Sequence, residues 1–172
     1  KIYWCYGTSF NNKKILLPAQ LVYVPYFFEK EPAIRLPITT GAAAGITKIS
    51  ALYRGMCEII ERDSFMIYWM NKMSPLKIDL SSVSFSSLKR LKEEFKKYYL
   101  EWYVLLLSTD LPIPTVMSLL IDDSEEGPAI SVGLKSDFSL FNAIIGSAEE
   151  AQGSRIFARR IRYQKHRSSK KY

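Results

Sequence analysis

A single histidine, His166, occurs in 172 residues. It lies in a basic tail, so a His-based zinc site or a Ser-His-Asp triad is nearly excluded unless a partner supplies residues. Two cysteines, Cys5 and Cys57, are too few and too far apart for a disulfide framework. A reducing compartment, the cytoplasm, is the expectation. No apolar run approaches the roughly 20 residues that span a bilayer, so no membrane partner is expected. The sequence lacks GxxxxGK[ST] and GxGxxG, the usual phosphate-cradling loops, and it lacks CxxC and HExxH. "GTSFN" does not match the GxSxG nucleophile elbow. With nitrogen and sulfur ligands this scarce, a bound metal would be held by oxygens, which favours Mg²⁺ over Zn²⁺.

What is present describes a folded chain: 48% hydrophobic, 24% charged and 13% aromatic residues. The net charge of +7 is unevenly placed. "RIFARRIRYQKHRSSKKY", residues 155–172, holds eight of the 24 Lys/Arg and none of the 17 acids. The body is thus about neutral and the C-terminal segment strongly basic. Nucleic acid is an unfavoured partner, because dedicated binders spread a basic face across the fold.

"KIYWCYG" and "ILLPAQLVYVPYFF" predict two or three strands, with Pro18 and Pro25 at ends or edges. The small-residue stretch "ITTGAAAGIT" precedes a helix from about Thr47 to Met73. Thr47 or Thr39 is its cap, and Ile49, Leu52, Tyr53, Met56, Ile59 and Ile60 form an apolar stripe. An amphipathic helix is expected over about 84–99. Strands follow at 101–108, 113–121 and 128–136, separated by "TDLP" and "DDSEEGP" turns. A last helix begins at Leu140 and reaches about Tyr163. The order lacks regular βαβ alternation and predicts an α/β chain of α+β type, with mixed, largely antiparallel sheets packed against long helices.

Two acidic clusters lie on helices. In "GMCEIIERDS", Glu58 and Glu61 share a face with Arg54 and Arg62. In "SAEEAQGSR", Glu149, Glu150 and Gln152 precede Arg155. Spacing leaves two readings open for each: a solvated ladder of ion pairs, or carboxylates that hold Mg²⁺ against phosphate with an arginine for the phosphate itself. "TTGAAAG" is either a tight helix entry or a backbone wall against a ligand.

"LPITTGAAAGITKISALYRGMCEIIERDSFMIYWMNK" resembles the YcaO domain, in particular the branch that modifies ribosomally made peptides in thiazole/oxazole-modified microcins and streptolysin-type toxins. The likeness rests on the turn Thr39–Gly45, on Glu58-Ile-Ile-Glu61-Arg62-Asp63-Ser64 followed by Trp69, on "WCYGTSFNNKKILLPAQLVYVPY" upstream and, more loosely, on "AIIGSAEEAQGSR" downstream. It implies a partial YcaO-like ATP-binding domain over 1–155 and a basic tail over 156–172. It implies binding of ATP and Mg²⁺, with Glu58, Glu61 and Glu150 as ligands and Arg62, Gln152 and Arg155 as further nucleotide contacts. The activity implied is ATP-dependent cyclodehydration of a ribosomally made precursor peptide to thiazoline or oxazoline rings. An E1-like, leader-peptide-binding partner protein and a homodimer are the implied assemblies. Thioamide or amidine formation, an inactive scaffold and a leader-peptide-binding fragment remain open beside it, as does whether the chain is an enzyme by itself.

Overall fold

In the computed structural model, residues 1–83, 85–124 and 126–169 are described. Ser84 at the expected start of the second helix, Glu125 in an expected turn, and 170–172 of the basic segment lie outside the described residues. The chain divides into two compact units, Lys1–Ala42 and Ala43–Tyr172.

In the first unit, β1 (Trp4–Thr8) pairs antiparallel with β2 (Lys14–Pro18). Asn12, at a positive φ of 60°, helps close the hairpin. The third strand that the apolar run predicts does not form. After Pro18 the chain makes a 3₁₀ turn, Ala19–Leu21, and then runs irregularly. Side chains take over from a ladder here. The Gln20 amide donates to the Pro32 carbonyl at 3.2 Å and accepts from the Ile34 N–H at 2.7 Å. Glu31 accepts from the Tyr3 N–H at 3.0 Å and from the Tyr26 hydroxyl. Prolines at 18 and 25 remove ladder donors, so an extended segment gains little by pairing.

The second unit is built on an antiparallel sheet ordered β3 (Leu76–Lys77), β4 (Leu100–Leu107), β5 (Thr115–Asp122), β6 (Ile130–Ser136). Its α+β architecture is the class expected from the sequence. Three helices accompany it: α1 (Lys48–Asn71), α2 (Ser86–Lys97) and α3 (Leu140–Ser169). Strand periodicity of two sorts the side chains. On one face, Leu100, Trp102, Val104, Val116 and Leu120 are buried with Leu88 and Phe95 of α2 and with Ala143, Ile144, Ala148 and Ala151 of α3. Within this core, the Trp102 indole N–H donates to Ser118 at 3.0 Å, and the Ser118 hydroxyl meets Ser147 of α3 at 2.8 Å. Polar groups buried there are thus paired. The other face meets α1 through hydroxyls: Ser64 lies 3.1 Å from Thr115, which lies 2.6 Å from Ser136.

α1 begins where the sequence places it. Thr47 Oγ1 accepts from the Ser50 N–H and Ser50 Oγ accepts from the Thr47 N–H, both at 3.1 Å, a capping box. Its buried positions, however, are Gly55, Cys57, Glu61 and Ser64, whereas Ile49, Leu52, Met56 and Ile59 of the apolar stripe are exposed. α3 runs through residue 155 without a break, so residues 156–169 continue it.

α3 crosses β6 at Gly133. A Cβ there would stand 2.1 Å from the Ser147 carbonyl oxygen and 2.2 Å from the Ala151 nitrogen. These are backbone atoms, which cannot swing aside. Gly133→Ala is expected to cost about 2–3 kcal/mol or more, measured as a lowered urea midpoint, because overpacking against a rigid partner must separate helix from sheet.

Candidate functional site

Within the sheet, β6 is an edge strand, and the residues that matter gather along its free edge. Leu134 and Ser136 turn their N–H groups outward there, away from β5. Glu150 of α3 reaches over one face and accepts the Leu134 N–H at 2.9 Å. Glu61 of α1 comes from the other face, near enough to the Ser136 backbone for it to help lower the carboxyl. Arg62 stands between the two acids, its Nη2 3.7 Å from Glu61 Oε1 and 3.9 Å from Glu150 Oε1.

Around this pair opens a cleft of about 860 Å³. Glu58, Glu61 and Arg62 line it from α1, Glu149 and Glu150 from α3, and Lys135 from β6. Ala43 and Ala44 form one wall. Arg54 holds that wall by donating from Nη1 to the Ala44 carbonyl at 3.1 Å. Gly45 lets the wall fold back over α1, since a Cβ on it would lie 2.2 Å from Ser50 Oγ and 2.5 Å from the Ala51 nitrogen. The glycine-rich entry is therefore both a tight turn and a surface of the cleft.

Charge is dearly held here. Glu61 is 5% exposed, and its carboxyl is pushed up to about 7, first by burial and then by the neighbouring Glu150 charge. Arg62, Lys135 and the Ser136 backbone offset only part of this. Burial also raises the Cys57 thiol. Tyr53 is pushed up to about 12 by burial and by its hydrogen bond with Asp137. Tyr53 and Cys57 are therefore neutral walls of the cleft at ordinary pH.

Of the residues singled out in sequence, Glu58, Glu61, Arg62 and Glu150 come together. Gln152 and Arg155 do not line the cleft. Arg155 is 5% exposed and its Nε donates to Asp122 Oδ2 at 2.6 Å, tying α3 to the end of β5. Burial would raise the Asp122 carboxyl, but Ser124 and Arg155 hold it below the usual carboxylate range. Gly127 leaves room for this pair, because its Cβ would fall 2.1 Å from Asp122 Oδ2. Among the described residues Gln152 Oε1 is buried without a hydrogen-bond partner. Lys135 was missed in sequence. The signal available was its position: a charged residue at the strand parity that faces a helix.

A family model described as YcaO cyclodehydratase, ATP- and Mg²⁺-binding, matches residues 1–171. An uncharacterized protein of Methanothermobacter thermautotrophicus is 25% identical over 148 residues, 84% of this chain and 38% of its own length. The heterocyclase TruD shares the fold with a TM-score of 0.76 and 27% identity, over 87% of this chain and 22% of its own. YcaO from Methanopyrus kandleri, bound with AMPPCP and Mg²⁺, superposes with a TM-score of 0.72 and 21% identity, over 87% of this chain and 40% of its own. The E. coli microcin synthetase McbBCD complex with pro-MccB17 bound gives a TM-score of 0.69 at 17% identity, over 90% of this chain and 40% of the matched chain. The chain thus spans well under half the length of these relatives.

The Glu61 shift predicts a pH profile. The folded chain keeps the Glu61 proton up to about pH 7, whereas an ordinary glutamic acid releases it near 4.5. The folded state binds more protons between these values, so stability falls as pH rises through that window and stays lower above it. Glu61→Gln, neutral throughout and still an acceptor, is expected to flatten the profile. It should be more stable than the parent by about 1–3 kcal/mol at pH 8, read from urea denaturation at a series of pH values. An equally steep fall in the variant would place the titrating group elsewhere.

Proposed function

Because this chain belongs to the YcaO family, we propose that it carries part of an ATP- and Mg²⁺-dependent cyclodehydratase site, acting on the backbone of a ribosomally made precursor peptide. The observation that carries the reading is the convergence of Glu61 and Glu150, from two helices on opposite faces of the sheet, at the free edge of β6. A buried carboxylate with a second acid beside it resists ionisation, and a divalent cation removes that cost.

The donor set fits Mg²⁺. Among the described residues that line the cleft it consists of carboxylate oxygens. Among the described residues no group of three or more His, Cys, Asp and Glu stands ready to hold a metal ion alone. This suits an ion that takes one or two carboxylates and fills its remaining positions with phosphate oxygens and water. Glu61 and Glu150 would hold it, Glu58 would line the site beside them, and when bound the ion would neutralise phosphate charge.

The rest falls to the chain's own groups. Arg62, 45% exposed at its side chain and only loosely engaged at 3.7 and 3.9 Å, is free to turn toward phosphate. The Ala43–Ala44 wall offers a side on which a nucleotide can pack without obstruction by long side chains. In the reaction proposed, a Cys, Ser or Thr side chain of the peptide attacks the preceding amide carbonyl. The amide oxygen takes the γ-phosphoryl group from ATP, ADP departs, and loss of phosphate leaves an azoline ring. Catalysis is then a matter of position and charge, with no residue needed as covalent nucleophile. The same activation of an amide oxygen serves thioamide or amidine formation, and the mass of the product separates the three outcomes. Residues 1–155 belong to the ATP-binding domain in this reading, with the basic segment 156–172 beyond it. A leader-peptide-binding partner is proposed as the source of precursor peptide, in a cytoplasmic setting. No helix among the described residues is long and apolar enough to cross a membrane.

Calorimetric titration with ATP and Mg²⁺ tests the site. The chain is expected to bind Mg-ATP, and the Glu58→Gln/Glu61→Gln double variant to lose at least about tenfold in affinity, as expected for removing charged ligands. Equal affinity of the two proteins would overturn the assignment.

A further inference from the structure

The cleft holds a lysine that the acidic motifs did not reveal. Lys135 sits in β6 at the parity of Ser131 and Gly133, on the face beneath α3. Its partner across the β5–β6 pair is Val116, which is wholly buried. A lysine in such a place needs a channel for its stem and a reason for its charge.

The channel is Gly146 of α3. A Cβ at Gly146 would stand 2.8 Å from Lys135 Cγ, 3.0 Å from Cδ and 3.5 Å from Cβ. The lysine stem therefore occupies the volume that any other residue at 146 would fill. With its stem held there, Lys135 lines the same cleft as Gly146, Glu58, Glu61, Arg62 and Glu150. Its positive charge is felt by Glu61, whose carboxyl it helps to lower.

The reason for the charge is not an ion pair. Among the described residues, the pairs formed within 4.0 Å involve Arg62, Lys96, Lys97, Arg155 and Arg159, and Lys135 makes none. Its ammonium is committed to no single carboxylate while facing a cleft rich in them. A compact, strongly hydrated ammonium with three donors suits phosphate oxygens as a point charge.

We propose that Lys135 is a phosphate-binding residue of the nucleotide site, with Gly146 as the notch that directs its ammonium toward the triphosphate. This rests on the Mg-ATP reading of the cleft. Lys135 thus joins Arg62 as a second cation, from the sheet rather than from α1, so that the phosphates are met from two directions.

The test is titration of the chain and its variants with Mg-ATP, alongside urea unfolding of each. Lys135→Met is expected to weaken binding by about tenfold or more, Lys135→Arg to retain most of it, and Gly146→Ala to weaken it although the lysine is still present. Urea midpoints should not track these losses. If Lys135→Met binds as tightly as the parent, or Lys135→Arg loses as much as Lys135→Met, the proposal falls while the carboxylate site stands. If the parent chain itself binds no Mg-ATP, the nucleotide reading falls first and this one with it. Should Lys135→Met fail to fold, Lys135→Gln in the same titration decides between the same outcomes.

Discussion

The close approach of α3 to β6 at Gly133 governs the arrangement of the second unit. Because residue 133 has no side chain, the backbone of α3 lies directly on the strand. That contact fixes the height and rotation of the helix over the edge of the sheet. Glu150, one residue before Ala151, is thereby brought within 2.9 Å of the Leu134 N–H. Gly146, on the same helix, comes down over the Lys135 stem. Farther along α3, Arg155 reaches the Asp122 carboxylate at the end of β5. A helix raised by even the thickness of a methyl group would misplace each of these at once, since packed interiors do not deform gradually.

Electrostatics then explains the pairing of the two helices. α1 turns small and polar residues toward the sheet, with Cys57, Glu61 and Ser64 among its buried positions. An ordinary core helix would bury its apolar stripe. The consequence is a carboxylate held out of water next to another acid, with Arg62 as the nearest cation. Such a site is strained in charge before any ligand arrives, which is the usual condition of a site shaped for one.

Much of the scaffold was legible in the sequence. The Thr47 cap, the long α1, the amphipathic α2 and the three long strands follow from local signals that tertiary packing happens to reinforce. The irregular course after Pro18 in the first unit, where a third strand was allowed for, was not legible, because Gln20 and Glu31 satisfy backbone groups with side chains, and no periodicity announces that. Burial of Glu61 was invisible for a related reason: hydrophobic spacing points to Leu52, Met56 and Ile59, and those are the exposed ones. Spacing alone left Glu58, Glu61 and Glu150 undecided between a solvated ladder and a ligand site, and the resemblance to a family is what favours the ligand reading proposed for them. Arg155 stands close in sequence to Glu150, yet about 1.4 turns of helix carry it to a different partner, Asp122. Lys135 is written as a lone cation in a strand. Its meaning depends on Gly146, which no short-range pattern connects to it.

The carboxylates at β6 have a second consequence that concerns the life of the chain before it meets any ligand. An uncovered outer strand invites another strand to pair with it, and chains with open edges stick to one another as they fold. Here Glu150 occupies the outward N–H of Leu134, and Glu61 stands beside Ser136 farther along the same rim. The same two side chains thus act as guards against edge-to-edge aggregation. A lineage that abandoned their chemistry would still have cause to keep them, or to find another way of closing that rim.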